Sequence, residues 1–144
     1  MVKWRKEVLG FTAMNLSSRG QRLRPSRIIN RSMILGVICF HMQIIYHPKA
    51  QIFMSGLEPR AYSKILRAVD MLGEYGYRLM MPYAKRIEPG LWELRIHDQQ
   101  EVRLFYAIRG ARAFILHGFI KKSMLIPRRE LDVARRRLSL LDKL

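Results

Sequence analysis

Arg95 and Arg103 lie in two short alternating stretches, WELRI and EVRLFYAI, separated by the polar run Asp98–Gln99–Gln100. If that run closes as a turn, the two guanidinium groups land beside each other on one face. Arginine suits a phosphate because its planar fork donates two parallel hydrogen bonds. Like charges side by side are unfavourable without a ligand, so an anion held between them is one natural reading. Two solvated surface arginines are the other, and alternation alone leaves the two even. His97 and Glu93 share the Arg95 face. A histidine titrates near neutrality, so His97 is a candidate proton acceptor, with Glu93 as the substitute. Lys121 and Lys122 follow a third apolar stretch, AFILHGFI, and alternation turns only one of them toward the same side. Lys85 and Arg86 form a further basic pair upstream, where a charge also serves solubility. His117, inside the third stretch, reads as a satisfied core histidine, and Tyr106 as core packing. Four histidines and a single cysteine, with no paired carboxylates in one motif, leave no metal constellation.

These side chains need a sheet to hold them. Trp92, Leu94 and Ile96 share one face of the first stretch. Val102, Leu104, Tyr106 and Ile108 alternate in the second, and Arg109–Gly110 makes the next hairpin turn. The nearly continuous apolar run of AFILHGFI predicts the central, most buried strand. Upstream, Gln43–Tyr46 suits a first strand, and Pro48 opens a short helix through Leu57. Pro59 opens a second helix with Tyr62, Ile65, Leu66, Val69 and Leu72 as its apolar stripe, ending at Gly73 or Gly76. Residues 77–88, YRLMMPYAKRIE, read as a connecting loop with edge-strand character. Pro127 starts a last helix with Leu131, Ala134, Leu138 and Leu141 as one stripe and Arg128, Arg129, Arg135, Arg136 and Arg137 elsewhere.

The totals fit one domain of 144 residues. Lys+Arg number 27 against 11 Asp+Glu, a formal net charge of +16 that attracts polyanions, nucleic acid first. The single Cys39 excludes an intrachain disulfide and suits a reducing cytoplasm. The longest clean apolar run, MILGVICF at residues 33–40, is far short of the about 18 residues that span a bilayer, so no membrane or targeting segment is expected. Residues 1–41 carry Lys3, Arg5, Lys6, Arg19, Arg22, Arg24, Arg27 and Arg31 against Glu7, with no sustained period. They read as a basic extension outside the fold, although MILGVICF could pair as a strand. The domain is expected to begin at Met42 and run to residue 144, and an over-long start-codon choice would explain the different character before it. A basic arm for nucleic acid is the other option.

From Met42 to about Leu141 the chain resembles the RelE/ParE superfamily of type II toxins, most closely its HigB-like, phage-derived branch. The motifs that carry the resemblance are GLWELRI, VRLFYAI, ILHGFIKKS and P-x-x-E-x-x-x-A-R-x-R, the last as Pro127, Glu130, Ala134, Arg135 and Arg137. The resemblance implies an α+β fold: two N-terminal helices packed on a small twisted antiparallel sheet, with a C-terminal helix. It implies a cytoplasmic, cofactor-free endoribonuclease that cuts messenger RNA on the ribosome. Its implied partners are a cognate helix-turn-helix antitoxin and, through that complex, operator DNA. On this reading Arg95, Arg103, Lys122 and His97 are the catalytic candidates, and Lys85, Arg86, Lys121 and Glu93 contact RNA. Several members of the superfamily carry a tyrosine after the last strand, and this chain has none beyond Tyr106. Two other readings remain: a ParE-like DNA gyrase inhibitor on the same scaffold, and a non-catalytic nucleic-acid-binding module.

Overall fold

The computed structural model describes residues 41–143. The expectations for residues 1–40, the MILGVICF strand among them, lie outside the described residues. The chain enters on β1 (Gln43–Tyr46), followed by α1 (Pro48–Ser55) and α2 (Pro59–Tyr75). His47 caps α1 in an extended conformation, its Nδ1 accepting from Lys49 N at 3.2 Å, and Pro48 occupies the first helical position, where no amide donor is needed. In α2 the residues Ala61, Ile65, Ala68, Val69 and Leu72 recur at helical spacing and are buried. Gly76 ends it in a positive-φ conformation (φ 54) that a side chain would strain. Four strands then run as a meander: β2 (Ala84–Glu88), β3 (Leu91–His97), β4 (Glu101–Arg109) and β5 (Arg112–Ile120). The last helix, α3 (Arg128–Leu141), follows.

The strand order is β1-β5-β4-β3-β2. β1 pairs parallel with β5, and all the other neighbours are antiparallel. The expected arrangement, two N-terminal helices on a small antiparallel sheet, is therefore corrected. A strand precedes both helices, the sheet has five strands, and it is mixed. The short β1 cannot satisfy its own backbone groups, and the outer edge of β5 supplies the partners. α1 and α2 then connect β1 to the far edge of the sheet across one face.

The expectation that β5 is central is corrected too: β4 holds the middle and is buried along nearly its whole length. Both sheet faces are covered. Ile65, Val69 and Leu72 of α2 pack with Leu94, Leu104, Tyr106 and Ile115 on one side. Ala134 and Leu141 of α3 pack with Leu91, Phe105, Phe114 and Leu116 on the other. Strands buried on both faces lose their polar alternation, which makes two neighbouring apolar runs indistinguishable by pattern.

At Gly118 of β5, α1 comes unusually close. A methyl group there would collide with the Phe53 ring and sit 2.8 Å from Leu104 Cδ2. Gly118→Val is expected to lower the urea midpoint by an amount equivalent to about 2 kcal/mol, the scale of an overpacked core. An unchanged midpoint would show that α1 yields freely.

Candidate functional site

The β3–β4 hairpin turns at residues 98–100 and is clamped from α2. Lys64 Nζ donates to Asp98 Oδ1 at 2.7 Å and to the His97 carbonyl at 3.2 Å, and Arg60 Nε lies 3.5 Å from the same Asp98 oxygen. The Lys64 hydrogen bond holds the Asp98 carboxyl below the usual carboxylate range. The clamp fixes the register of the hairpin. Arg95 stands directly across from Arg103, and His97 across from Glu101. Arg103 in turn faces Phe119 on β5, while Glu93 lies between Lys85 on β2 and Phe105 on β4. Phe105 and Phe119 belong to the cluster under α3, so this is the α3 face of the sheet.

Toward the β3–β4 hairpin that face opens gradually: Arg103 and Phe119 are buried, Arg95 is half-buried and His97 is exposed. In α3, the first-turn Glu130 bonds His117, which faces Phe105. Its later residues reach away from the hairpin: Arg135 to Glu88 and Asp142 to Arg109. The Arg95–Arg103–Phe119 row is the next one toward the hairpin. Beyond it comes His97–Glu101, where the Lys121 amide donates to the Glu101 carbonyl at 2.7 Å.

One carboxylate serves two arginines. Glu93 is 2 % exposed, with Arg103 Nε 3.5 Å from one of its oxygens and Arg95 Nε 3.6 Å from the other. These contacts are ion pairs without hydrogen-bond geometry: Glu93 Oε1, Arg95 Nε and Arg103 Nε are all buried and make no hydrogen bond. Arg103 is itself 2 % exposed. It donates to the Val102 carbonyl at 2.9 Å and to Glu101, and reaches the Ile96 carbonyl at 3.4 Å. Arg95 is half-buried, and its Nη1 donates to Met81 Sδ at 3.3 Å. His97 Nδ1 lies 2.8 Å from Glu101 Oε1. Hydrogen bonds from His97 and then Arg103 hold Glu101 below its usual range. A proton on Nδ1 shared with Glu101 leaves the Nε2 lone pair of His97 as an acceptor.

The other sequence candidates are placed unequally. Lys85 is exposed on the same face as Glu93. Arg86, one residue on, lies on the opposite face with its guanidinium 6.0 Å from the Trp92 ring, so it is not brought together with the rest. Lys121 stands next to Glu101, whereas Lys122 is exposed one residue further along. Among the described residues, no group of three His, Cys, Asp or Glu side chains is placed to hold a metal ion. No helix among them is long and apolar enough to cross a membrane.

Sequence reasoning missed the polar link beneath α3. His117 Nε2 bonds Glu130 Oε2 at 2.6 Å, so His117 is a satisfied histidine. Arg137 Nη1 donates to the Leu116 carbonyl at 2.6 Å and to His117 Nδ1 at 3.2 Å. Arg137 therefore turns toward the sheet instead of standing apart from the stripe. The signal was present: Glu130, Ala134, Arg137 and Leu141 follow one helical face. Burial lowers the pKa of His117, and burial together with Arg137 lowers that of His47 to about 4. Both histidines are thus held neutral in the fold. Below about pH 6.5 the unfolded chain takes up protons that the folded chain refuses. The stability His47 contributes, present above 6.5, is lost as the pH falls toward 4, and His117 acts in the same direction. His47→Asn keeps a capping acceptor and removes one titrating group. It is expected to reduce that acid loss by about 1 kcal/mol after allowance for solvent screening, in urea melts between pH 6.5 and 5. Superimposable pH profiles would refute it.

The family model described as phage-derived protein Gp49-like (DUF891) matches residues 53–139, which takes in α2, the four-strand meander and nearly all of α3. No curated protein matches the chain.

Proposed function

We propose, from the premise that this chain belongs to the Gp49-like phage-derived family of the RelE/ParE-like toxin superfamily, that it is the toxin of a type II toxin–antitoxin pair. On this reading it is a HigB-like endoribonuclease that cuts messenger RNA on the ribosome. The observation that carries the proposal is the Arg95–Arg103 pair, facing each other across β3 and β4 with a single buried carboxylate between them. Their two Nε–H groups and Glu93 Oε1 lack hydrogen bonds, and buried polar groups left so are unfavourable by about 1–3 kcal/mol each. A phosphate oxygen brought to the half-buried Arg95 gives its guanidinium an anionic acceptor.

The chemistry is in-line attack of the 2′-oxygen on the adjacent phosphorus, with departure of the 5′-oxygen and formation of a cyclic phosphate. His97 Nε2 takes the 2′-proton, with Glu101 orienting the ring and stabilising the imidazolium that forms. Arg95 holds a non-bridging oxygen and gains strength as the phosphorane accumulates charge. Arg103 is a positioning residue in this scheme: it holds Glu101 and Glu93, which in turn set His97 and Arg95. Lys121 and Lys85 supply positive potential on either side, and the departing 5′-oxygen is protonated from solvent. Lys122 adds a peripheral charge.

The partner that follows is an antitoxin, in this proposal a small helix-turn-helix protein from a neighbouring gene that also carries the pair to operator DNA. Expression of the full chain alone should arrest growth, and primer extension on the RNA should show cuts confined to translated messages. Growth arrest with intact message and inhibited gyrase supercoiling would replace this reading with a ParE-like one.

A further inference from the structure

Three large apolar side chains crowd the surface next to the candidate site. Met80, Met81 and Tyr83 are 59 %, 59 % and 49 % exposed within four residues. Two of the three residues bond Arg95, Tyr83 through its main chain and Met81 through its sulfur. The Arg95 amide donates to the Tyr83 carbonyl at 2.7 Å, and the Arg95 guanidinium donates to Met81 Sδ at 3.3 Å. Lys85, exposed two residues beyond Tyr83, flanks them on the Glu93 side. We propose that Met80, Met81 and Tyr83 form a stacking platform for a nucleobase of the single-stranded message, next to the phosphate held by Arg95. This rests on the RNA-cleavage reading and names the subsite that reading leaves open.

The physical fit is specific. Every base has a π-face, and single strands bind where an aromatic ring lies beside a cationic track. Tyrosine offers that ring, and the polarisable thioether of methionine packs against it without demanding one shape. The net charge of +16 favours a polyanion over an acid-poor surface. A partner protein would also cover the apolar cluster, but it would give the two bonds to Arg95 no role. A base stacked on Tyr83 pulls on the residue that holds its neighbouring phosphate, which couples binding to alignment.

The test uses the full chain and ribosomes programmed with a message that carries 2-aminopurine in the decoding site and a 2′-O-methyl group that blocks the cut. The parent chain and Tyr83→Phe should change the 2-aminopurine emission alike. Tyr83→Ala should lose that change, bind about tenfold or more weakly with the same salt slope, and cut an unblocked message with a comparably lower kcat/KM. Lys85→Ala should instead lower the salt slope by about one while keeping the emission change. A thermal melt of each variant serves as the folding control. If Tyr83→Phe falls with Tyr83→Ala, the hydroxyl and not the ring is at work, and the platform is refuted. If Tyr83→Ala cuts and binds like the parent but escapes inhibition by the antitoxin, the cluster is a protein contact. A parent chain that cuts normally beside an unaltered Tyr83→Ala removes only this inference. A parent chain that neither binds nor cuts removes the proposed function with it.

Discussion

Arg95→Ala is expected to cut ribosome-bound message about a hundredfold more slowly than the parent chain, while unfolding at nearly the same denaturant concentration. A hundredfold corresponds to about 3 kcal/mol of transition-state stabilisation, the scale for one charge-assisted donor aimed at developing charge. The fold should tolerate the change because Arg95 is half-buried. Its contacts are an ion pair 3.6 Å from Glu93 and a weak bond to Met81 Sδ, and Glu93 keeps Arg103. Arg95→Lys should recover part of the rate only, since an ammonium cannot present the bidentate fork. His97→Ala separates the remaining terms. If His97 Nε2 takes the 2′-proton, the loss should be largest at a pH where the parent histidine is neutral, and the pH–rate profile should flatten. Cleavage by Arg95→Ala at the parent rate would remove the phosphate-holding assignment and turn attention to gyrase.

The pairing of Arg95 with Arg103 was legible because two alternating stretches separated by Asp98–Gln100 admit one obvious hairpin. The proline-headed helices were legible for a similar local reason. What escaped was whatever depends on contacts distant in sequence. The parallel pairing of β1 with β5 joins residues about seventy positions apart, and nothing in QIIY announces its partner. Residues 77–88 showed only edge-strand character within a connecting loop, and β2 is that edge strand; with Lys85 and Arg86 in succession it has no apolar alternation to mark its bounds. Arg103 was harder still. Alternation left it either holding an anion with Arg95 or solvated at the surface, yet Phe105 and Ala107 on its face lie under α3 and Arg103 itself is 2 % exposed. A charged residue flanked by apolar neighbours on its own face is the mark of a buried ion pair, and its partner Glu93 was equally visible two residues before Arg95. Glu130 and Arg137 belong to the same class: polar side chains at stripe positions of α3 that a sheet histidine was waiting to receive.

Burial is why Arg103→Ala should behave unlike Arg95→Ala. The simplest expectation for two arginines on one face is that each variant loses cleavage and keeps its fold. The geometry separates them. Arg103 and Glu93 have side-chain exposures of 2 % and 3 %, so deletion of the guanidinium leaves a carboxylate in the interior with only Arg95 at 3.6 Å to compensate it. Breaking a buried pair by removing one partner destabilises by about 3–5 kcal/mol. The contact with Glu101 adds little to that figure, because Glu101 is 42 % exposed and water screens it. The hydrogen bonds to the Val102 and Ile96 carbonyls would be lost as well. The urea midpoint of Arg103→Ala should therefore fall steeply, and its lost cleavage cannot be read as lost chemistry. The companion Glu93→Leu/Arg103→Met replaces both charges with apolar side chains of roughly similar volume. It should recover most of the stability, since an apolar replacement of a buried pair is often neutral. If Arg103 only positions its neighbours, the double variant should cut slowly with Arg95 and His97 intact, and Arg95→Ala on that background should lower the rate much less than a hundredfold. Full stability in Arg103→Ala alone would show that the Arg103–Glu93 pair contributes nothing to the fold, and would return Arg103 to the set of residues free to bind RNA.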